Sequence, residues 1–526
     1  MKRIFIVFLL ALSFSPGSQS QSSAGKPGNF VIKGFHLDLR IQPMTMPALK
    51  QFARKLHDQN INTLIMEWEA SFPYVSNAVI SNRYAYSKSS IDSFIVYCTS
   101  LGIDVIPLQQ CFGHVEYILR HYRYTALRED QENYSQVCPM KASLDSELFS
   151  QLFTEMAAVH PSKYFHIGGD ETYLLGHCPL CRQKAEEVGK SRLYIDYIKL
   201  MCDIVLRLGK IPVLWADIAI KYPDAIRELP RGTIFVDWNY GWEMDRFGDH
   251  QKLLNSGYAI WGACSMRSHP DNYFLTVWPK HFKNLHDFIP SARKLGYSGM
   301  IMTSWSTSGQ YSMVNETETE ILDLYAIRHV YPITGFNILL SAYSEALRND
   351  NPLDIDNFIL AYAQTQFGLS ASMARQFEKA LMMTPYEVSQ GSVVGHEQMT
   401  IHSLTDSAAL ASKILHDMPV TRNKNEFEQF RLMSDIRLQW LKYQEIEYLV
   451  NEKSFSRNEI PALIRQLRIL IDSSKTIDQR FIALNKGWYY PSVLTEENNL
   501  RNQKIHQLYF RLSGETNLND GKVFVK

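Results

Sequence analysis

Over its first 300 or so residues the chain alternates short apolar runs with stretches of helical period, and the runs number eight. They occupy residues 31–39, 63–69, 104–110, 164–171, 212–218, 234–240, 259–265 and 299–306. Between them, apolar residues recur at helical spacing over 46–59, 90–101, 143–159, 191–208, 280–295 and 316–328. Runs that are apolar on both faces and separated by amphipathic helices predict a parallel sheet covered by those helices. Eight such units predict a TIM (β/α)8 barrel, an α/β fold with its active site at the C-terminal ends of the strands.

Beyond about residue 335 the strand pattern stops, and residues 425–450 and 459–471 read as helices of mixed charge. The 526-residue chain therefore divides into a leader (1–20), a disordered lead-in (21–29), the barrel (30–335), a mostly α-helical C-terminal domain (336–512) and a polar tail (513–526). Trp440 and the Trp488-Tyr489-Tyr490 cluster are expected in the core of the helical domain, which is also the candidate surface for a homodimer. In the leader, Lys2 and Arg3 precede an apolar stretch and a Ser18-Gln19-Ser20 exit. That is the pattern of a cleaved signal peptide and predicts an exported protein, periplasmic or secreted. No later stretch is long and apolar enough to span a membrane. Lysine plus arginine (54) balances aspartate plus glutamate (54), so no positive field gathers phosphates and nucleic acid is not an expected partner. Seven cysteines are too few for a disulfide scaffold. The cluster of Cys138, His177, Cys178 and Cys181 is compatible with a disulfide, a tetrahedral zinc site or plain thiols.

If the chain is a barrel, the residues closing its strands should be chemically unusual. Trp68, Trp215, Trp238, Trp261 and Trp305 stand at or near strand ends, with Glu67, Glu69, Gln110, Asp170, Glu171 and Asp217 among them. Indole rings stack on the C–H faces of pyranoses while carboxylates and amides bind hydroxyls, so this mixture predicts a carbohydrate site. The alternative for any one of these tryptophans is to fill the barrel interior.

The most specific string is His166-Ile167-Gly168-Gly169-Asp170-Glu171, which closes the fourth run. Its glycines permit a bulged strand end, so that two consecutive carboxylates both turn into the site instead of alternating across the sheet. Glycosidases with two working carboxyls hold them about 5–5.5 Å or 6.5–9.5 Å apart across the scissile bond. Sequence neighbours do not easily straddle a sugar ring. They suit substrate assistance, in which one carboxyl is the acid/base and the nucleophile is an acetamido oxygen of the substrate itself.

The string and its position resemble glycoside hydrolase family 20, the β-N-acetylhexosaminidases, and more narrowly their hexosaminidase D branch. In the same order stand Gly34-Phe35-His36-Leu37-Asp38-Leu39, Glu67-Trp68-Glu69, Phe72-Pro73-Tyr74, Tyr84-Ala85-Tyr86-Ser87, Val105 to Gln110, and Phe112-Gly113-His114. The resemblance spans roughly residues 31–328. It implies an exo-acting, retaining enzyme that removes terminal β-linked GlcNAc or GalNAc from glycans through an oxazolinium intermediate, with no cofactor and no catalytic metal. By the resemblance, Glu171 is the acid/base, with burial expected to raise its pKa, and Asp170 orients the acetamido group. His114 pairs with Glu67 or Glu69 and tunes the acid/base. Trp305, Trp215 and Trp238 wall the sugar pocket, and Tyr240 is the candidate hydroxyl for the acetamido oxygen. Lys33 stands where many members carry the arginine that binds the sugar's O3 and O4, with Arg40 as its candidate substitute. His166 and Asp217 complete the expected substrate-binding set. Thr307 stands where many members have an acidic residue, which leaves the choice between GlcNAc and GalNAc open. Two other readings remain: a conventional glycosidase pairing Glu171 with Glu67, Glu69 or Asp217, and a non-catalytic glycan-binding barrel.

Overall fold

The apolar runs form eight parallel strands that close into a barrel. They are β1 (Ile32–Asp38), β2 (Thr63–Glu67), β3 (Asp104–Leu108), β4 (Tyr164–His166), β5 (Ile211–Trp215), β6 (Ile234–Trp238), β7 (Ala259–Arg267) and β8 (Gly299–Ser304). The structure is a computed structural model describing residues 30–222, 225–244, 246–248, 250–307 and 329–519. The expected leader and lead-in, the helix expected over 316–328 and the last residues of the expected tail lie outside these.

Closure is completed by β1, which pairs with β2 on one side (Phe35 opposite Leu64) and with β8 on the other (Phe35 opposite Met302). The period-2 alternation of a strand sorts each apolar run onto two cores. Along β2, Ile65 enters the interior cluster with Ile106, Val213, Val236 and Ile301. Its neighbours Leu64 and Met66 instead join the layer between sheet and helices. That is why the runs look continuously apolar.

The outer ring includes Met46–Asp58, Lys88–Ser100, Ala142–Val159, Lys190–Arg207 and Trp278–Lys294. Thr45 and Ser87 start the first two of these by accepting from the backbone N–H groups of Ala48 and Ser90. The seam between β8 and β1 is covered by Asn337–Arg348, beyond the expected boundary at 335. There the Tyr343 hydroxyl lies 3.0 Å from the Gly34 carbonyl and 2.7 Å from that of Met300.

The rest of the C-terminal region is mostly helical, with one short antiparallel hairpin (Val388–Ser389 with Ser392–Val393), and packs on the barrel's loops. Trp440 stacks on Phe274 with ring centroids 3.8 Å apart, Tyr489 bridges to Met44, and Tyr490 stacks on Tyr84. The last helix, Pro491–Asn519, runs past Ser513, where the sequence suggests a tail. Leu508 and Leu512 bury themselves against Leu463 and Leu467, which anchors that final stretch. Among the described residues no helix is long and apolar enough to cross a membrane.

Candidate active site

The site forms where β4 stops pairing. Its strand is only three residues long. The chain then turns through Gly168 (φ 71°) and Gly169 (φ 89°), conformations that only glycine adopts without strain. A Cβ on Gly168 would lie 1.8 Å from the Gln110 side-chain oxygen, so any other residue here would also displace the Gln110 amide. This turn delivers Asp170 and Glu171 together. His114, on the loop after β3, meets both: its Nε2 lies 3.5 Å from Asp170 Oδ2 and 3.3 Å from Glu171 Oε2. Glu171 (φ 46°), His114 (φ 56°) and Glu69 (φ 44°) all hold left-handed backbone, strain of the kind that collects at functional sites.

Burial disfavours the charge on His114, but the Asp170 carboxylate and contacts with both carboxyls outweigh it and hold its pKa well above 6.5. For Glu171 the sequence expectation is overturned. Burial pushes its carboxyl up, yet the hydrogen bond and charge of His114, with the Tyr173 hydroxyl 2.8 Å from Oε1, bring it below the usual 4.5. One carboxyl beside it that burial does raise is Asp217, on the β5 side. Burial and the neighbouring Asp170 charge lift it to about 7, while its Oδ2 accepts from the Glu171 backbone N–H at 3.3 Å.

A second buried group surrounds Arg40, whose guanidinium lies 2.9 Å from Glu69, 3.2 Å from Glu67 and 3.8 Å from Asp38. One cation faces three carboxyls. Burial would raise Glu67, but Arg40, His36 and Gln110 depress it to about 2. Burial and the charges of Glu67 and Asp38 push Glu69 well above 4.5 despite Arg40. Arg40 is thus committed to carboxyls. The second-strand carboxylates contact Arg40, with His36 also on Glu67 at 2.9 Å, whereas the His114 contacts are Asp170 and Glu171.

The aromatic wall is smaller than five tryptophans. Trp305 donates through Nε1 to the Tyr240 hydroxyl at 3.0 Å and lies over His36, with centroids 4.5 Å apart. Trp215 packs between His166 and Trp305, and Trp238 packs at a tilt against Tyr240. Trp68 faces outward, buried against Tyr86 and Phe94 with its N–H on His160. Trp261 does face inward, but low in the barrel: it pairs with Gly299, the first residue of β8, and packs on Tyr164, the first of β4. Lys33 is not brought to the site either. It is the second residue of β1, opposite Met300, on the outward parity of Phe35 and Leu37. At about 3.3 Å per residue it lies roughly 16 Å below Asp38.

His166 is fully buried, and burial with the nearby His36 lowers it to about 3, so it sits neutral beneath Trp215. Several buried polar atoms here have no partner among the described residues: Asp170 Oδ1, Asp217 Oδ1, Gln110 Oε1, Trp215 Nε1, Trp238 Nε1 and His166 Nε2. Acceptors and donors left together in this way match hydroxyl and amide groups, which both give and take hydrogen bonds.

Four contributors escaped the sequence reading. His36 supports Trp305 and Glu67. Asp38 ties β1 to β8 by accepting from the Ser306 backbone and hydroxyl at 2.8 and 2.7 Å. Tyr173 holds Glu171, and Trp242 packs edge-on against Trp238. Both His36 and Asp38 lie in the quoted first-strand segment at inward-facing positions, which is the signal that was available.

The model of the glycosyl hydrolase family 20 catalytic domain matches residues 37–315. Hexosaminidase D of Bos taurus is 26% identical over 53% of this chain and 86% of its own length. The Homo sapiens hexosaminidase D is also 26% identical, over 55% of this chain and 62% of its own. A solved β-N-acetylhexosaminidase from Bacteroides fragilis NCTC 9343 aligns over 64% of this chain and 70% of that one, with 18% identity and a TM-score of 0.46.

Proposed function

Because the chain belongs to glycoside hydrolase family 20, we propose that it is an exo-acting, retaining β-N-acetylhexosaminidase that uses the substrate's own acetamido group as nucleophile. The observation carrying this reading is that Asp170 and Glu171 both touch one nitrogen of His114. Carboxyls gathered on one histidine do not straddle a glycosidic bond as a nucleophile and an acid must. Asp170 accepts the acetamido N–H and stabilises positive charge on the oxazolinium ring. Glu171 protonates the leaving oxygen and then activates water. In the free site Glu171 is ionised and the neighbouring proton rests on His114, one hydrogen-bond step away. Transfer across that 3.3 Å contact arms the acid. Trp305 and Tyr240 close the pocket around the acetamido group.

The conventional two-carboxylate reading is less well supported. Glu67 and Glu69 are engaged by Arg40, and Asp217 Oδ2 is engaged by the Glu171 backbone N–H. A lectin has no use for a protonated histidine poised on a strained acid. Hydrolysis of aryl β-GlcNAc and β-GalNAc by the native chain and by Glu171→Gln tests the proposal. A loss of about 10²–10⁴-fold is expected, and equal rates would remove Glu171 from the mechanism. A thiazoline that mimics the oxazoline should bind tightly, and weak binding would favour a protein nucleophile. The leader pattern supports export, and N-terminal sequencing of the mature chain tests it.

A further inference from the structure

The cysteines set aside by the function converge. Cys138 Sγ lies 3.5 Å from Cys178 Sγ and 3.4 Å from Cys181 Sγ, and Cys181 Sγ lies 3.1 Å from Glu129 Oε2. One ligand atom from each of these four residues falls within 4.8 Å of all the others. Zinc bonds of about 2.3 Å to sulfur and 2.0–2.2 Å to oxygen set tetrahedral ligand atoms about 3.5–3.8 Å apart, so a small adjustment admits the ion. His177, the ligand that the sequence offered, is turned away, half-exposed and paired with Asp130 at 2.8 Å. Glu129 takes its place and is already oriented. Its Oε1 accepts from the backbone N–H groups of His177 and Cys178, both at 2.8 Å, which leaves Oε2 facing the sulfurs.

A disulfide explains this arrangement poorly. Any pair that formed would strand the third thiol beside a carboxylate. Cys178 and Cys181 lie at the start of the helix Pro179–Val188, and the Cys181 N–H points at Cys178 Sγ at 3.4 Å.

We propose that Glu129, Cys138, Cys178 and Cys181 bind a structural zinc ion that staples the loop after β3 to the loop after β4. The first loop carries His114: Val137, next to Cys138, donates to the Phe112 carbonyl at 3.1 Å. The second carries Asp170 and Glu171, and a chain of tight turns runs from Glu171 through Tyr173, Leu175 and His177 to Cys178. A direct strap, Leu174 N–H to the Gln136 side-chain oxygen at 3.0 Å, runs parallel to the staple. The ion therefore fixes the approach of His114 to the two carboxyls without touching substrate.

The test uses the full chain purified without chelator. Elemental analysis should find one zinc per chain. Cobalt in its place should give the thiolate charge-transfer and ligand-field absorption of a tetrahedral site. Cys138→Ala and Glu129→Gln should each lower the zinc content at least tenfold, while Cys264→Ala, a buried thiol elsewhere in the barrel, should keep it. Because a cysteine variant can fail to fold, hydrogen exchange is also read on the native chain before and after zinc is stripped. Amides of residues 112–115 and 170–178 should exchange faster after stripping. A native chain without stoichiometric zinc, an intact mass two hydrogens short of the reduced chain, or unchanged exchange in both segments would each overturn the proposal. None of these readouts needs turnover, so they succeed or fail apart from the function assigned to Asp170 and Glu171.

Discussion

Arg40→Met keeps the length of the side chain and removes the one cation that Asp38, Glu67 and Glu69 share. The guanidinium is only 5% exposed and lies 2.9 Å and 3.2 Å from the two glutamates. Removing one partner of a buried ion pair costs about 3–5 kcal/mol, because the remaining charge stays buried without compensation. At about 2 °C per kcal/mol, the low end expected of large domains, the thermal midpoint at pH 7 falls by about 6–10 °C. The direction with pH follows from the carboxyls. In the native chain Glu67 is depressed to about 2, so its stabilisation is present above the unfolded value near 4.5 and is lost only as pH falls towards 2. In the variant, burial without Arg40 raises Glu67 above its unfolded value, so the folded variant binds extra protons as pH falls. Each such proton restores about 1.4 kcal/mol per pH unit. The gap to the native chain should therefore narrow by several degrees between pH 7 and pH 5, read by tryptophan fluorescence during heating. A gap below about 2 °C at pH 7, or the same gap at both pH values, would refute the shared-cation account.

His114→Gln removes both the hydrogen bond and the charge that hold Glu171 down, so the Glu171 carboxyl should titrate higher than in the native chain. Infrared difference titration against Glu171→Gln reads the shift, and an unmoved titration would detach the histidine from the acid. Gly113→Ala places a Cβ 2.6 Å from the Asp170 carbonyl. Hydrolysis should drop more than about tenfold with the circular dichroism retained, since half an ångström of displacement spoils positioned chemistry; an unchanged rate would show that the two loops need no such closeness. Trp68→Phe leaves His160 without its donor and should cost about 1–3 kcal/mol of stability with KM unaltered. A changed KM would return Trp68 to the sugar site.

The glycine string was the part of the site most open to reading, because a strand that ends on two glycines before two carboxylates has few other uses. Even there the electrostatics depend on partners outside the string. Burial alone raises a carboxyl, and the sequence does not show that Tyr173 and a charged His114 outweigh it at Glu171 but not at the neighbouring Asp217. The tryptophans failed for a different reason. Trp68 and Trp261 stand near strand ends in the sequence, but one faces the helices and the other lies a layer too low. Lys33 matched a family position by its place before Gly34, yet strand parity turns it outward.

The sequence by itself determined the eight-unit barrel, its helical companion and the address of the carboxylate pair, because periodicity, turn residues and glycine requirements act over a few neighbouring positions. Tertiary structure decided which side chains share the site and which protons they hold. Barrel closure sets the height and facing of every strand residue through pairings such as Trp261 with Gly299. The charge on each buried group depends on partners far along the chain, as Arg40 with Glu67 and His114 with Glu171 demonstrate. The same long-range convergence replaced His177 with Glu129 among the cysteines.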